Sequence, residues 1–296
     1  MVKYQLVSLL PKNLQSYILG KLSRLNWPAS MAPTLNKAVA KYLAIDLSDA
    51  EKNVGDYRSF EELFTRSLKP DARKVSGEIC SPCDSNLRQS LPVDRGELLQ
   101  AKGIHYSIDD LLCLGEKEKR EFKPAWYGSF YLAPHHYHRV HAPFSGALHS
   151  VRYVPGELWP VNETFVKIVP KLFCRNERVV FELSHKNGGK AYLVMVGALH
   201  VGRIKVKEID TFVTNAFVRQ LRPAKTRAFS FSPPRDIEVG DELGTFMLGS
   251  SVIVVFDEVF TKNFGFKRVS KSVPVQCGDS LLISRNTGHP PPSSHS

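Results

Sequence analysis

The stretch from Gly244 to Phe256 constrains the fold of this chain most, because a polar corner leads directly into an apolar run. Val252–Phe256 contains only β-branched and aromatic side chains, which is typical of a buried strand. Gly249 has no Cβ atom, so the backbone before Ser250 can take unusual dihedral angles. With a base nearby, the Ser250 hydroxyl could attack the Gly249 carbonyl and move the acyl group from nitrogen to oxygen. Taken alone, however, the corner is an ordinary polar turn.

From about residue 78 onward, short apolar segments alternate with glycine and proline, a pattern typical of antiparallel β structure. Three stretches each predict a hairpin with a central glycine: 150–159, 237–244 and 275–281. The predicted strands are Ile79–Leu91, Phe130–Ala133, Ala147–Val154, Arg178–Leu183, Ala191–Val196, Ile204–Lys207 and Val252–Val255. The sequence therefore predicts an α+β fold, in which N-terminal amphipathic helices accompany a mainly antiparallel β core of barrel-sandwich type with lipoyl-like hairpins.

The N-terminal residues 2–26 predict a helix interrupted at Pro11, with an apolar stripe at intervals of three or four residues. The stripe consists of Leu6, Leu10, Leu14, Ile18, Leu22 and Leu25, and basic side chains flank it. Two interpretations remain open, because such a stripe can pack on a protein core or lie in a membrane interface. No uncharged run is long enough to span a bilayer.

Three further helices are predicted from their capping residues. One runs from Thr34 to about Leu47, with Leu35, Val39, Tyr42 and Leu43 on its apolar face. Another begins at Ser59, where Ser59 and Glu62 match a capping box, and stops before Pro70. A short helix from Ile108 to Leu114 follows Ser107 as its N-cap.

Length and charge permit several kinds of partner. The chain has 296 residues, which we divide into an N-terminal helical region (1–75), a β-rich core (76–285) and a disordered tail (286–296) that has nothing to bury. The net charge of +11 suits nucleic acid, an anionic membrane or an acidic ligand. The chain carries no nucleic-acid-binding signature.

Five cysteines and no secretory signal indicate reduced thiols in the cytoplasm.

Two other stretches could serve Ser250. Residues 81–85 form a tight turn carrying Asp84, and residues 135–141 contain four histidines, including His138 and His141. A Ser-His-Asp set is recognised by geometry, so its members can be far apart in sequence. Asp84 could equally be an ordinary turn residue, and the histidines could bind a metal. No carboxylate lies inside the histidine cluster, and no second pair completes the Cys80/Cys83 motif, so we predict no metal site.

The chain resembles bacterial phosphatidylserine decarboxylase proenzymes, the pyruvoyl-dependent enzymes of prokaryotic type I. The resemblance rests on an ordered set of motifs rather than on any single one. The motifs are 64–70 (FTRSLKP), 81–84 (SPCD), 100–103 (QAKG), 137–141 (YHRVH), 153–158 (YVPGEL), 161–162 (VN), 176–178 (NER), 196–198 (VGA) and 246–252 (FMLGSSV). The set runs over roughly residues 55 to 256, in the order that the family has.

The resemblance implies that the chain cleaves itself between Gly249 and Ser250 and converts Ser250 into a covalent pyruvoyl cofactor. Asp84, His141 and Ser250 then form the charge relay for self-cleavage, and His138 is a candidate proton donor in decarboxylation. The pyruvoyl group would form a Schiff base with phosphatidylserine, release CO2 and give phosphatidylethanolamine.

Further expectations concern assembly and location. Chains 1–249 and 250–296 would form a heterodimer, which could dimerise again, with residues 76–285 as the catalytic core. Residues 1–75 would hold the enzyme peripherally on the cytoplasmic face of the cell membrane. The expected partner is phosphatidylserine in the anionic membrane, and no nucleic acid is expected to bind.

Three residues depart from the family pattern, namely Ser85, where the family has Gly, His136, where it often has Asp, and Ser251, where it often has Thr. If the turn at Ser85 needs a positive φ, serine there is strained. Two other classes of function remain open: a non-catalytic lipoyl-like binding module, and a Ser-His-Asp hydrolase with an intact Ser250. The absence of a G-x-S-x-G motif around Ser250 counts against the hydrolase.

Overall fold

The structure, a computed structural model, describes residues 12–101, 103–199, 203–209, 212–214, 225–247 and 250–283. Its strands are β1 (Ser85–Pro92), β2 (Glu97–Ala101), β3 (Ile104–Ser107), β4 (Pro124–Leu132), β5 (Arg139–His141), β6 (Gly146–Val154), β7 (Arg178–His185), β8 (Lys190–Val196), β9 (Ile204–Val206), β10 (Arg227–Ile237), β11 (Glu242–Phe246), β12 (Ser250–Asp257) and β13 (Val273–Val275). Its helices are α1 (Lys12–Leu22), α2 (Ala32–Leu43), α3 (Phe60–Phe64), α4 (Ile108–Leu112), α5 (Glu116–Glu121), α6 (Glu163–Ile168), α7 (Leu172–Arg175) and α8 (Glu258–Asn263).

The predicted apolar strand lies in the middle of the largest sheet. Eight strands pair antiparallel in the order β10-β6-β7-β8-β12-β4-β1-β13. Every residue of β12 is buried, as the apolar run predicted. Its first residue, Ser250, pairs with Leu132 of β4, and its last, Asp257, pairs with Pro124. The two polar ends of one apolar strand therefore lie at opposite edges of the core.

A smaller sheet in the order β5-β11-β9 carries the histidine segment and leads toward the predicted cleavage corner. A β2-β3 hairpin completes the described strands, and all pairings between named strands are antiparallel. The predicted class, a mixed α/β fold with mainly antiparallel sheets, is confirmed. The large sheet stays open in the described residues, with β10 and β13 at its edges, so the barrel-sandwich detail is not confirmed.

The described part of the N-terminal stripe faces solvent. Leu14, Ile18 and Leu22 of α1 are 44%, 49% and 54% exposed, and Leu25 after it is 63% exposed. The buried face is the one with Gly20, where an added Cβ would lie 3.3 Å from the Arg203 side chain. Packing on the core is therefore not supported for this part of the stripe. Residues 2–11 of the predicted helix lie outside the described residues, as does the predicted tail 286–296.

The second helix differs from its prediction in start, end and face, since it ends at Leu43 rather than at about Leu47. It begins after Met31 rather than at Thr34, since Pro33 is tolerated in the first turn of a helix. Its buried face includes Asn36, whose amide donates to the carbonyls of Val54 and Tyr57 at 2.8 Å each. The predicted apolar face is wrong at Tyr42, which is 88% exposed.

The other two predicted caps are confirmed. Ser59 Oγ accepts from the Glu62 amide at 3.2 Å, although the Glu62 carboxylate accepts from the Arg58 amide rather than from Ser59. α3 then ends at Phe64, well before Pro70. Ser107 caps α4 through the Asp110 amide. Among the helices within the described ranges, none is long and apolar enough to cross a membrane.

Candidate active site

The β12 strand brings Ser250 into the protein interior. Ser250 is 1% exposed, and its Oγ atom has no hydrogen-bond partner among the described residues. Buried hydroxyl groups are usually bonded, so an unpaired one needs an explanation. Leu248 and Gly249, which precede it in the predicted cleavage motif, lie outside the described residues.

Ser85 lies at the same end of the sheet as Ser250. Asn86 pairs with Tyr131, and this register carries Ser85 to the level of Leu132, the residue that Ser250 pairs with. Ser85 is fully buried, and its hydroxyl also lacks a hydrogen bond of good geometry with a described residue, although it lies near the Cys83 thiol. It is the first residue of β1 and does not belong to the residues with positive φ. The departure from glycine therefore causes no backbone strain.

The candidate relay carboxylate, Asp84, is held by an arginine. Arg73 donates to it from Nε at 2.8 Å and from Nη2 at 2.6 Å, and the Cys277 amide donates at 2.9 Å. The ion pair with Asp84 raises the pKa of Arg73 above its ordinary value. The sequence prediction missed Arg73, which nothing in the spacing of residues 73 and 84 would have indicated.

The candidate base, His141, is oriented by backbone contacts. Its amide donates to the Pro82 carbonyl at 2.8 Å, which places it beside the turn that carries Asp84. Its Nδ1 lies 2.6 Å from the Gly240 carbonyl, an acceptor only, so Nδ1 carries the proton. Its Nε2 is then free to accept and lies 3.1 Å from the Tyr137 hydroxyl. Burial lowers the pKa of His141, which favours this neutral form, and the charge of Asp84 opposes the shift.

The predicted relay is not joined by hydrogen bonds in the described structure. None links Asp84 to His141 or His141 to Ser250, although Asp84 is close enough to affect the pKa of the ring. A cavity of about 200 Å³ lies beside His141 and Tyr137, and Cys277 and Gly240 also line it. The relay assignment stays a prediction.

His138 occupies a different environment from His141. It is fully buried and stacks on Phe64, with ring centroids 4.0 Å apart. Neither ring nitrogen makes a hydrogen bond of good geometry with a described residue. Burial, together with the charge of Arg66, lowers the pKa of His138 to about 3, so the ring is neutral at physiological pH.

His136 stands where the resemblance often has an aspartate. Its Nδ1 accepts from the Ala133 amide at 2.9 Å. Burial lowers its pKa to about 4, so a neutral ring replaces a negative charge here.

Comparisons with known proteins agree with the motifs. The family model for phosphatidylserine decarboxylase matches residues 60–283. A phosphatidylserine decarboxylase proenzyme from Myxococcus xanthus is 40% identical over 256 residues, covering 86% of this chain and 88% of the relative. A proenzyme of the same name from Brevibacillus brevis is 37% identical over 286 residues, covering 95% of both chains. The chain therefore belongs to the phosphatidylserine decarboxylase family.

Proposed function

We propose that this chain decarboxylates phosphatidylserine after cleaving itself between Gly249 and Ser250. The observation that carries the proposal is the buried, unpaired hydroxyl of Ser250 at the start of the central strand, in a family whose members are named proenzymes. A serine with no hydrogen-bond partner in the described part of the chain is available for a reaction with its own backbone. The pyruvoyl ketone that would result supplies an electron sink for the loss of CO2.

The neutral tautomer of His141 suits the first step. Its Nε2 would take the proton of Ser250 Oγ as that oxygen attacks the Gly249 carbonyl carbon. The C–N bond to Ser250 breaks, an ester forms, and the amine of Ser250 takes up the proton. Loss of the Cα proton of Ser250 together with the Gly249 carboxylate then leaves a dehydroalanine, which takes up water and loses ammonia to give the ketone. Asp84 would stabilise the imidazolium through its charge, since Nδ1–H donates to the Gly240 carbonyl and Asp84 stays bonded to Arg73.

His138 would act in the later proton transfer. An anionic carboxylate arriving beside its ring would raise its pKa from the low value that burial imposes. The ring could then hold a proton and return it to the carbon that loses CO2. The stack on Phe64 fixes the plane of the ring during this exchange.

The two predicted chains would stay together after cleavage. β12, at the start of the 250–296 chain, lies between β4 and β8, which both belong to the 1–249 chain. Separating the two products would expose both faces of an apolar strand and break two ladders of backbone hydrogen bonds. The cleaved protein is therefore proposed to be a stable heterodimer.

Intact-mass measurement of the purified protein tests self-cleavage. We expect two chains, 1–249 and 250–296, the second carrying a ketone in place of its N-terminal amine. Ser250→Ala should remain a single chain without decarboxylase activity. A single full-length chain in both fresh and aged wild-type protein would contradict the proposal and favour a hydrolase or a binding module.

Peripheral attachment to an anionic membrane is the second part of the proposal. Leu14, Ile18, Leu22 and Leu25 present an exposed apolar surface, and basic residues such as Lys21 lie beside it. Such a surface adheres to a bilayer interface and is helped by anionic lipid.

Co-sedimentation with phosphatidylserine vesicles tests this attachment. Binding should weaken as salt rises and should fall in the Ile18→Gln/Leu22→Gln variant. Tyr42→Gln, which alters an exposed aromatic of α2, is the matched control. Unchanged binding of the double variant would place the attachment surface elsewhere.

A further inference from the structure

Arg66 is a buried cation with most of its donors unused. It is 4% exposed, and its only hydrogen bond in the described structure runs from Nη2 to the His135 carbonyl at 3.3 Å. Nε and Nη1 have no partner among the described residues, and none of the described carboxylates forms a salt bridge with it. Burial lowers the pKa of Arg66, but an arginine keeps its charge in proteins. A charge buried without partners is costly unless something else completes its contacts.

Arg178 shows that this fold can bond a buried arginine through four of its five N–H donors. It is 3% exposed, and its guanidinium donates to backbone carbonyls at 2.6–3.0 Å. The acceptors are Asp110, Leu111, Cys174 and Asn176. The two arginines are equally buried, so the unused donors of Arg66 do not follow from burial alone.

The surroundings of Arg66 are those of the candidate active site. Phe64, two residues earlier, stacks on His138, and the charge of Arg66 lowers the pKa of that histidine. Burial raises the pKa of Tyr57, which is 1% exposed, and the charge of Arg66 opposes that rise; its hydroxyl also lacks a hydrogen bond of good geometry. The charge of Asp84 acts on Arg66, but its oxygens already accept from Arg73 and from the Cys277 amide.

We propose that Arg66 binds the phosphodiester of the lipid headgroup, an inference that rests on the proposed function. A guanidinium presents paired N–H donors to phosphate or carboxylate along two edges, Nε with Nη2 and Nη1 with Nη2. At Arg66, Nε and Nη1 are unoccupied and Nη2 uses one N–H on the His135 carbonyl, so its second N–H completes a pair along one edge. The substrate offers both kinds of anion. Tyr57 would add a neutral donor beside the same anion.

The chemistry favours the phosphodiester over the carboxylate. The carboxylate loses its charge as CO2 forms, so a cation bound tightly to it would stabilise the ground state more than the transition state and slow the reaction. The phosphodiester keeps its charge throughout, and binding it costs nothing at the chemical step. Arg66 therefore orients the substrate, and the leaving carboxylate is left to the side of the site near Phe64 and His138, whose ring gives up its proton to carbon in the same reaction.

Titration calorimetry with short-chain lipids tests the assignment without relying on turnover. Dihexanoyl phosphatidylethanolamine has the phosphodiester but no carboxylate. We expect Arg66→Met to bind it about 10- to 100-fold more weakly than wild type, as for loss of a charge-assisted pair. KM for dihexanoyl phosphatidylserine should rise by a similar factor with little change in kcat, and Arg66→Lys should recover part of the loss. Arg178→Met, the equally buried control, should lower stability without a selective effect on Kd.

The outcomes separate the two proposals. If wild type neither cleaves nor releases CO2, the proposed function fails, whereas the calorimetric comparison still tests Arg66. A higher KM with unchanged phosphatidylethanolamine binding would assign Arg66 to the carboxylate and overturn the inference. Unchanged Kd and KM, or failure of both the Met and Lys variants to fold, would show that Arg66 is only structural.

Discussion

The two ends of β12 differ in how their buried polar atoms are satisfied. At the Asp257 end, Oδ1 accepts from the amides of Val259 and Phe260 at 3.0 and 3.1 Å, and Oδ2 accepts from the Lys190 amide at 2.8 Å. At the Ser250 end, the buried polar side chains that lack a hydrogen bond of good geometry with a described residue include Ser85, His138, Ser250, Ser251 and, at two of its nitrogens, Arg66. One end of the strand is complete as folded, and the other is incomplete.

The difference indicates that the functional groups of this fold lie at the Ser250 end of β12. An unsatisfied buried polar atom costs about 1–3 kcal/mol, so several at one place are expensive. Packing at the Asp257 end helps to offset that cost, because the Phe256 ring contacts those of Phe260 and Phe266 with centroids 5.0 and 4.8 Å apart. Incomplete polar contacts at one end of a well-packed strand indicate the place where a reaction or a ligand completes them.

The largest expected effect is at the incomplete end. His141→Ala should slow self-cleavage at least 100-fold, because a general base contributes roughly 10²- to 10⁴-fold. Asp84→Ala should also slow it, since the carboxylate orients and stabilises the histidine. A time course of chain cleavage on a denaturing gel measures the cleavage rates of both variants. His105→Ala, an exposed histidine on β3, is the control. Normal cleavage in the His141 variant would mean that another histidine is the base.

A smaller effect of a different kind is expected at the complete end. Asp257→Ala removes the N-cap of α8 and leaves the Lys190 amide unpaired, so the free energy of unfolding should fall by about 2 kcal/mol. Urea unfolding of the uncleaved Ser250→Ala protein measures this change, and Asp257→Asn should lose less. Self-cleavage in the otherwise wild-type protein should be unaffected. A defect in cleavage without a loss of stability would break the comparison between the two ends.

The smallest expected effect is the response of His138 to acid. The unfolded ring titrates near its ordinary pKa, and the folded ring has a pKa of about 3, so only the unfolded state takes up this proton between those values. Stability from this residue is thus complete above pH 6.5 and is lost as pH falls, by about 1 kcal/mol between pH 6.5 and 5.5. Urea midpoints at the two pH values measure it, and His138→Phe, which keeps an aromatic stack with Phe64, should remove that share of the slope. An unchanged slope would show that the pKa of the ring is not lowered in the folded protein.

Local features were predictable from the sequence, and features formed by distant contacts were not. The all-apolar run of β12 and the caps at Ser59 and Ser107 depend on neighbouring residues, and the structure confirms them. The buried face of α2 depends on Asn36 bonding to carbonyls about twenty residues away, so apolar periodicity chose the wrong face. The ion pair of Arg73 with Asp84 and the unused donors of Arg66 likewise become visible only when the chain is folded.

The central position of β12 also sets an order of events in time. A strand that is buried on both faces and flanked by β4 and β8 takes its place only when most of the core has formed. Under the proposed function, the histidine segment, the turn at Asp84 and the hydroxyl of Ser250 meet only then, so folding must precede the cut. Only a correctly folded chain would therefore acquire the reactive pyruvoyl group, because a misassembled chain does not bring these residues together. Each molecule would cleave itself once, after folding. Exchange of the small chain between molecules could not supply the reactive group to a chain that had not folded.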